Sequence, residues 1–429
     1  MTNEIVVARA PLRPRASWLS AWWHTGRSAL AIDVYRIFIG AVLVLHFLGA
    51  WNDLPEAIGR RGLYLPTASI DDSWFARSIF TWSEEHGNWG RLVASLGVML
   101  SLGITAGVAS RVCAALLFLL ATWIHRVAFA TSSLDDALVG VVAFWLCILP
   151  IGSTLRIADI SQRKAWRARR VEGWTALLFL LHLFVLHADI GLWQAYAPRW
   201  QPANLSVALL CAVPVALLIP SVAARAVAIG GLLALHLFLI RTSGLVFAHG
   251  AMIAALPLLL WDDRGESTDG ALAQRPFSIG AALGFAAIVL TLVATLGRWL
   301  LLRTPDHPPP WALATASVLR DAGLLVAASG QRLPPRPLAL DFEFDGRVEQ
   351  LRLMTARSQM LLTYLAAPDA ADPRVFNGVA EGALRLHCRE DRTESGRVRL
   401  TLDGSAARKD VGTYQCARGI ANFSPDSAP

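Results

Sequence analysis

Arg126 and Asp136 stand at equal distances on either side of a turn centred near Thr131, each beside a long apolar run. On the two arms of a helical hairpin they reach matched depth, where an unpaired charge is costly and an ion pair follows. Two readings stand for that pair: a clamp on the hairpin, or the centre of a catalytic cluster. His125 and Asp135 adjoin it and extend it into a hydrogen-bonded network.

A second hairpin repeats the arrangement with imidazoles. His236 and His249 lie equally far from a turn at Thr242–Ser243, about 10 Å along their helices at roughly 1.5 Å per residue. Facing histidines make a proton relay, half of a metal site, or an interhelical hydrogen bond. No third ligand stands nearby in sequence, so no metal is assigned. His182, His187 and Asp189 sit in another apolar run, spread over more than one helical face. Arg36 follows Asp33 by one helical turn, a spacing for mutual neutralisation, and snorkelling to an interface is the other reading. The catalytic candidates are therefore Arg126, Asp135, Asp136, His187 and Asp189, and the binding candidates Arg36, His125, His182, His236 and His249.

These residues are carried by apolar runs expected to be helices near 29–50, 91–109, 112–130, 134–151, 173–193, 204–220, 223–240, 245–261 and 279–301. A bilayer core asks about 20 apolar residues of each crossing helix, and about nine runs approach that length. The expected fold is an all-α polytopic membrane bundle of about nine transmembrane helices with a small C-terminal β-rich extramembrane domain. With 55% hydrophobic and 17% charged residues, a soluble surface is hard to build. The net charge of +7 lies in loops beside the apolar runs, which suits anionic lipid headgroups and no nucleic acid.

Basic residues set the expected orientation. Arg9, Arg13, Arg15 and Arg27 precede the first helix, and Arg156, Arg163, Lys164, Arg167, Arg169 and Arg170 follow the fourth. Both clusters belong on the cytoplasmic side by the positive-inside bias, an even number of spans apart. No cleavable signal is expected, the first helix serving as its own anchor. The expected location is a bacterial inner membrane, N-terminus cytoplasmic and C-terminal domain periplasmic or extracellular. Trp51, Trp74, Phe75, Phe80, Trp82 and Trp89 suit an amphipathic segment at the outer interface, with a substrate lid as the other reading.

The chain divides into a basic arm (1–28), the helical unit (29–303) and an external domain (304–429). His307-Pro308-Pro309-Pro310 and Pro334-Pro335-Arg336-Pro337 mark stiff linkers. Leu338, Leu340, Phe342 and Phe344 then alternate with smaller or polar residues up to Asp345-Gly346, a hairpin signal, and a second alternating run covers Arg397–Leu402. Of the five cysteines, Cys113, Cys147 and Cys211 lie in apolar runs, whereas Cys388 and Cys416 are the only pair in the external domain and read as a disulfide. A zinc site would need more ligands than His387 and those two thiols.

Val34-Tyr35-Arg36-Ile37-Phe38-Ile39-Gly40, Ser133-Leu134-Asp135-Asp136-Ala137-Leu138, Phe144-Trp145-Leu146-Cys147-Ile148-Leu149-Pro150-Ile151-Gly152 and Ile157-Ala158-Asp159 together resemble the horizontally transferred transmembrane (HTTM) domain, a family related to the vitamin K-dependent γ-carboxylases. The similarity covers about residues 27–300. It implies a multi-helix membrane core with its chemistry at the outer side. In the carboxylases a lysine after the fifth-helix region is the base, and here that stretch reads His187-Ala188-Asp189-Ile190-Gly191-Leu192-Trp193. Lys164 and Lys409, the only lysines, fall elsewhere, and arginine stays protonated, so lysine-dependent carboxylation is not expected. A bacterial branch resembles the membrane component of sporulation-delaying-protein systems, which implies maturation or export of a secreted peptide. Two functions stay open: a maturation-type enzyme or factor acting at the outer face on a lipid, quinone or secreted peptide, and a non-catalytic scaffold or transporter subunit. Neither cofactor nor reaction is assigned by these residues.

Overall fold

A computed structural model describes residues 27–57, 89–127, 134–152, 155, 170–171, 173–196, 222–243, 246–260, 279–303, 338–345, 347–352, 362, 373–388, 394–402, 408–416 and 420–423. The expected helix at 204–220, Cys211, the proline linkers, the basic arm before Arg27 and most of the aromatic segment between residues 57 and 89 lie outside them. Of that segment's aromatics, Trp51 is exposed and Trp89 buried.

The helical unit contains α1 (Ala29–Ala57), α2 (Trp89–Ala106), α3 (Ser110–Val127), α4 (Leu134–Ile148), α5 (Gly173–Tyr196), α6 (Val222–Ser243), α7 (Val246–Leu260) and α8 (Ile279–Arg303). Short strands β1 (Arg27–Ser28) and β2 (Arg170–Val171) pair antiparallel, joining the entry of α1 to the entry of α5. Helix α1 packs on α2 and α7, α3 on α4, α6 on α7, and α5 on α8.

Helix stops are local. Helix α2 ends at Gly107, whose φ of 79° is open to glycine without steric penalty. There the Gly107 amide donates to the Ile104 carbonyl at 3.1 Å and the Val108 amide to Gly103 at 3.0 Å, the double bond of a Schellman ending that folds α3 back at once. Helix α4 stops just before Pro150, as proline's restriction on its predecessor requires.

Small residues let α1 and α2 approach closely. A Cβ added to Gly97 would overlap the Phe47 ring, one at Gly40 would overlap Thr105, and one at Gly90 would stand 3.0 Å from the Pro55 nitrogen. Gly97→Ala is expected to destabilise the unit by about 1–3 kcal/mol through overpacking. Thermal unfolding in detergent checks this, and an unchanged transition would show that Phe47 gives way freely.

The nine-span expectation is overturned. Among the described residues only Ala29–Glu56 and Trp89–Ala106 are long and apolar enough to cross a membrane, while the other apolar helical segments run 10–17 residues. Apolarity marks a run without fixing how long an uninterrupted apolar helix it forms, and a hydrocarbon core asks roughly 20 residues. Helix α4, at 15 residues, shows why: Pro150 cuts it short.

The C-terminal region forms a five-stranded antiparallel sheet from β3 (Leu338–Phe344), β4 (Arg347–Arg352), β5 (Ser395–Leu402), β6 (Arg408–Gln415) and β7 (Ile420–Phe423), in the order β4-β3-β5-β6-β7. Phe344 pairs with Arg347 across the expected two-residue turn, and Asp345 takes a φ of 44° as such turns demand. Helix α9 (Pro373–His387), absent from the strand reading, contributes Val379, Ala383 and Leu384 to the apolar cluster that contains Leu340, Phe342, Val398, Leu400 and Tyr414. Its buried positions recur at helical spacing, a signal the alternating strands around it obscured. Cys388 and Cys416 form a disulfide with Cα atoms 5.3 Å apart, whereas Cys113 and Cys147 are free thiols.

Candidate functional site

Polar side chains inside the helical unit fall into three groups. The first is near the start of α1, where the Arg36 guanidinium donates to Asp33 Oδ1 at 3.2 Å, to the Thr105 carbonyl at 2.6 Å, and to the carbonyls of Ile104 and Leu155. Asp33 in turn accepts the amides of Gly152 at 2.6 Å and Leu155 at 2.9 Å. Both side chains are buried. The expected neutralising pair is thus a staple that ties α1 to the end of α2 and to the chain leaving α4, and its charges are spent on backbone.

The second group links α4, α5 and α8. Trp145 Nε1 donates to His182 Nδ1 at 2.8 Å, and His182 Nε2 lies 2.9 Å from Thr291 Oγ1, which donates to the Ala287 carbonyl at 2.8 Å. Indole nitrogen is only a donor, so His182 Nδ1 must accept and Nε2 carries the proton toward Thr291. The chain of donors is complete with a neutral imidazole. His182 therefore holds three helices together.

The third group gathers at the start of α4 and α7, about 15 Å along α1 from Arg36 at roughly 1.5 Å per residue. His46 Nε2 of α1 lies 3.4 Å from Asp136 Oδ1 of α4. Asp135, beside it, accepts the amides of Phe247 at 3.1 Å and Ala248 at 2.8 Å. It caps α7 from another helix, satisfying donors that a helix start leaves orphaned and placing an anion at the positive end of its dipole. The Phe247 ring packs on His46 at a centroid distance of 5.1 Å. One residue beyond that cap, His249 Nδ1 meets His236 Nδ1 of α6 at 3.2 Å. Two nitrogens so placed share one proton, so the rings must adopt different tautomers or carry a single charge between them.

The third group therefore joins Asp135, Asp136, His236 and His249 with His46. The Arg126 side chain lies outside the described residues, and so do those of His187 and Asp189, so their expected contacts are not described. His125 is buried in α3. His46, Trp145 and Thr291 were missed in the sequence. His46 carried the same signal as His236, an imidazole within an apolar run.

The His46–Asp136 contact has the form of a dyad in which a carboxylate orients an imidazole. Asp136 occupies Nε2, and Nδ1 makes no hydrogen bond among the described residues. A proton can be taken or given at Nδ1 of this half-buried imidazole. No protein-family model, curated protein or solved structure matches this chain.

Proposed function

We propose that this is a bacterial inner-membrane protein of the HTTM and γ-carboxylase-like superfamily, acting at the outer face on a lipid, quinone or secreted peptide in a maturation-type role. The His46–Asp136 dyad carries that reading. It pairs a half-buried imidazole with a buried carboxylate beside the capped start of α7, and the polar part of an amphiphile is its natural substrate. A lysine-dependent carboxylation is not part of the proposal.

Membrane residence is supported by the distribution of side chains. Asp33, Arg36, His125, Asp136, His182, His236 and His249 are buried, while Phe38, Leu45, Met99, Leu119 and Phe238 are more than half exposed. An exterior of that kind is unfavourable in water over so many helices and suits lipid tails. The Cys388–Cys416 disulfide favours an oxidising compartment for the C-terminal region, consistent with a cytoplasmic N-terminus and an external C-terminus.

The scaffold reading draws on a separate observation, that the Asp33–Arg36 and Trp145–His182–Thr291 networks both serve helix docking. One experiment separates the two. Carbonate-washed membranes should retain the protein, and native mass spectrometry of the detergent-extracted chain should find a bound amphiphile. His46→Gln and Asp136→Asn should each abolish that mass with little change in thermal unfolding. Release by carbonate would overturn membrane residence. An amphiphile kept by both variants, or variants that only lose stability, would leave the scaffold.

A further inference from the structure

The end of α9 and the sheet edge beside it collect four donor groups at one point. His387 and Cys388 close α9, Glu394 precedes β5, and Cys416 follows β6. The Cys416 amide donates to the Glu394 carbonyl at 2.9 Å, which makes those two residues neighbours across the strands. Ligating atoms of His387, Glu394 and Cys416 all lie within 4.8 Å of one another, and Cys388 Sγ is bonded to Cys416 Sγ.

The imidazole in this cluster is firmly oriented. It stacks on Phe342 with centroids 3.9 Å apart and planes 9° from parallel, and Tyr414 stands edge-on to it. Its Nε2 lies 3.1 Å from Glu394 Oε1 and 3.3 Å from Tyr414 Oη. Its Nδ1 lies 3.9 Å from Glu349 Oε2. That separation is longer than a hydrogen bond, so Glu349 acts on the ring as a nearby negative charge.

We propose that the Cys388–Cys416 disulfide masks a binding site for a divalent metal of the zinc class, made of Cys388, Cys416, His387 and Glu394. A disulfide sulfur is a poor ligand, and the thiolate is a strong one. A dithiol reductant supplies two electrons and two protons, becoming a disulfide itself as the Cys388–Cys416 bond breaks into two thiols. The metal ion then displaces the two thiol protons to solvent and takes two sulfurs, one nitrogen and one oxygen. That set suits tetrahedral zinc, whose ligand atoms stand roughly 3.5 Å apart, so the freed sulfurs part from their bonded separation while the imidazole and carboxylate close around the ion. The sequence alone offered three ligands, and the fold supplies Glu394 as the fourth. This site is independent of the dyad in the helical unit.

Cobalt(II) tests the proposal on the full-length chain in detergent, before and after reduction by a phosphine, which is oxidised to its oxide with water as the oxygen source. The reduced protein should bind one cobalt per chain at this site and show a sulfur-to-cobalt charge-transfer band, and the oxidised protein should not. The Cys388→Ser/Cys416→Ser variant should lack the band although Cys113, Cys147 and Cys211 remain. His387→Ala and Glu394→Gln should each weaken binding by about tenfold or more, the scale on which single groups at such sites matter. If reduction unfolds the C-terminal region, cobalt should restore its circular dichroism, because metal binding and folding are then one event. No band after reduction, a band surviving in the double-serine variant, or affinity unchanged by His387→Ala would each overturn the site.

Discussion

Arg36→Met is expected to destabilise the helical unit by about 3–5 kcal/mol, the effect of removing one partner of a buried ion pair. The variant leaves the Asp33 carboxylate buried without its cation and deprives the carbonyls of Ile104, Thr105 and Leu155 of a donor. Asp33→Ala should act in the same direction, because it strands the guanidinium and the amides of Gly152 and Leu155. The double variant should recover part of the loss but not all, since the backbone groups remain unsatisfied. Arg36→Lys should not rescue, because an ammonium cannot reach three carbonyls and a carboxylate with one planar fork. Thermal and denaturant unfolding in detergent measure all four variants. A single-variant loss below about 1 kcal/mol would show that water reaches the pair and the staple is not structural.

Removing the disulfide is the second large effect. Cys388 and Cys416 are separated by 28 residues in sequence, and opening a loop of that size is expected to lower the stability of the C-terminal region by about 2–4 kcal/mol. The bond ties the end of α9 to the end of β6, which the sheet's own pairing does not join. Cys388→Ala/Cys416→Ala, compared with the wild type in metal-free buffer without reductant, gives the difference by thermal unfolding. Peptide mapping of the unreduced chain should recover the linked peptides. Both cysteines found alkylated without reduction would remove the premise.

Several features of this chain are local and stand in the sequence itself. Apolar runs mark α1 to α8 in position, because a helix that buries or faces apolar surface needs a sustained run of such residues. Pro150 and Gly107 set helix ends through backbone restrictions that need no partner. Asp345-Gly346 dictates a two-residue turn, and with it the register of β3 against β4. Asp33 and Arg36 meet because residues one helical turn apart share a face.

What the tertiary structure alone decided is the choice of partner between distant segments. Asp135 reads in the sequence as a neighbour of the Arg126–Asp136 pair, yet it caps α7, 112 and 113 residues away. His182 reads in the sequence as a binding candidate, yet Trp145 and Thr291 fix its tautomer from two other helices. Glu394 and His46 acquire meaning only beside His387 and Asp136. Each of these contacts depends on how far one helix or strand is rotated and slid against another, and that is settled by the packing of whole apolar faces. The number of membrane-length helices belongs to the same class: composition states that a segment is apolar, while its length as a helix depends on where turns and packing partners end it.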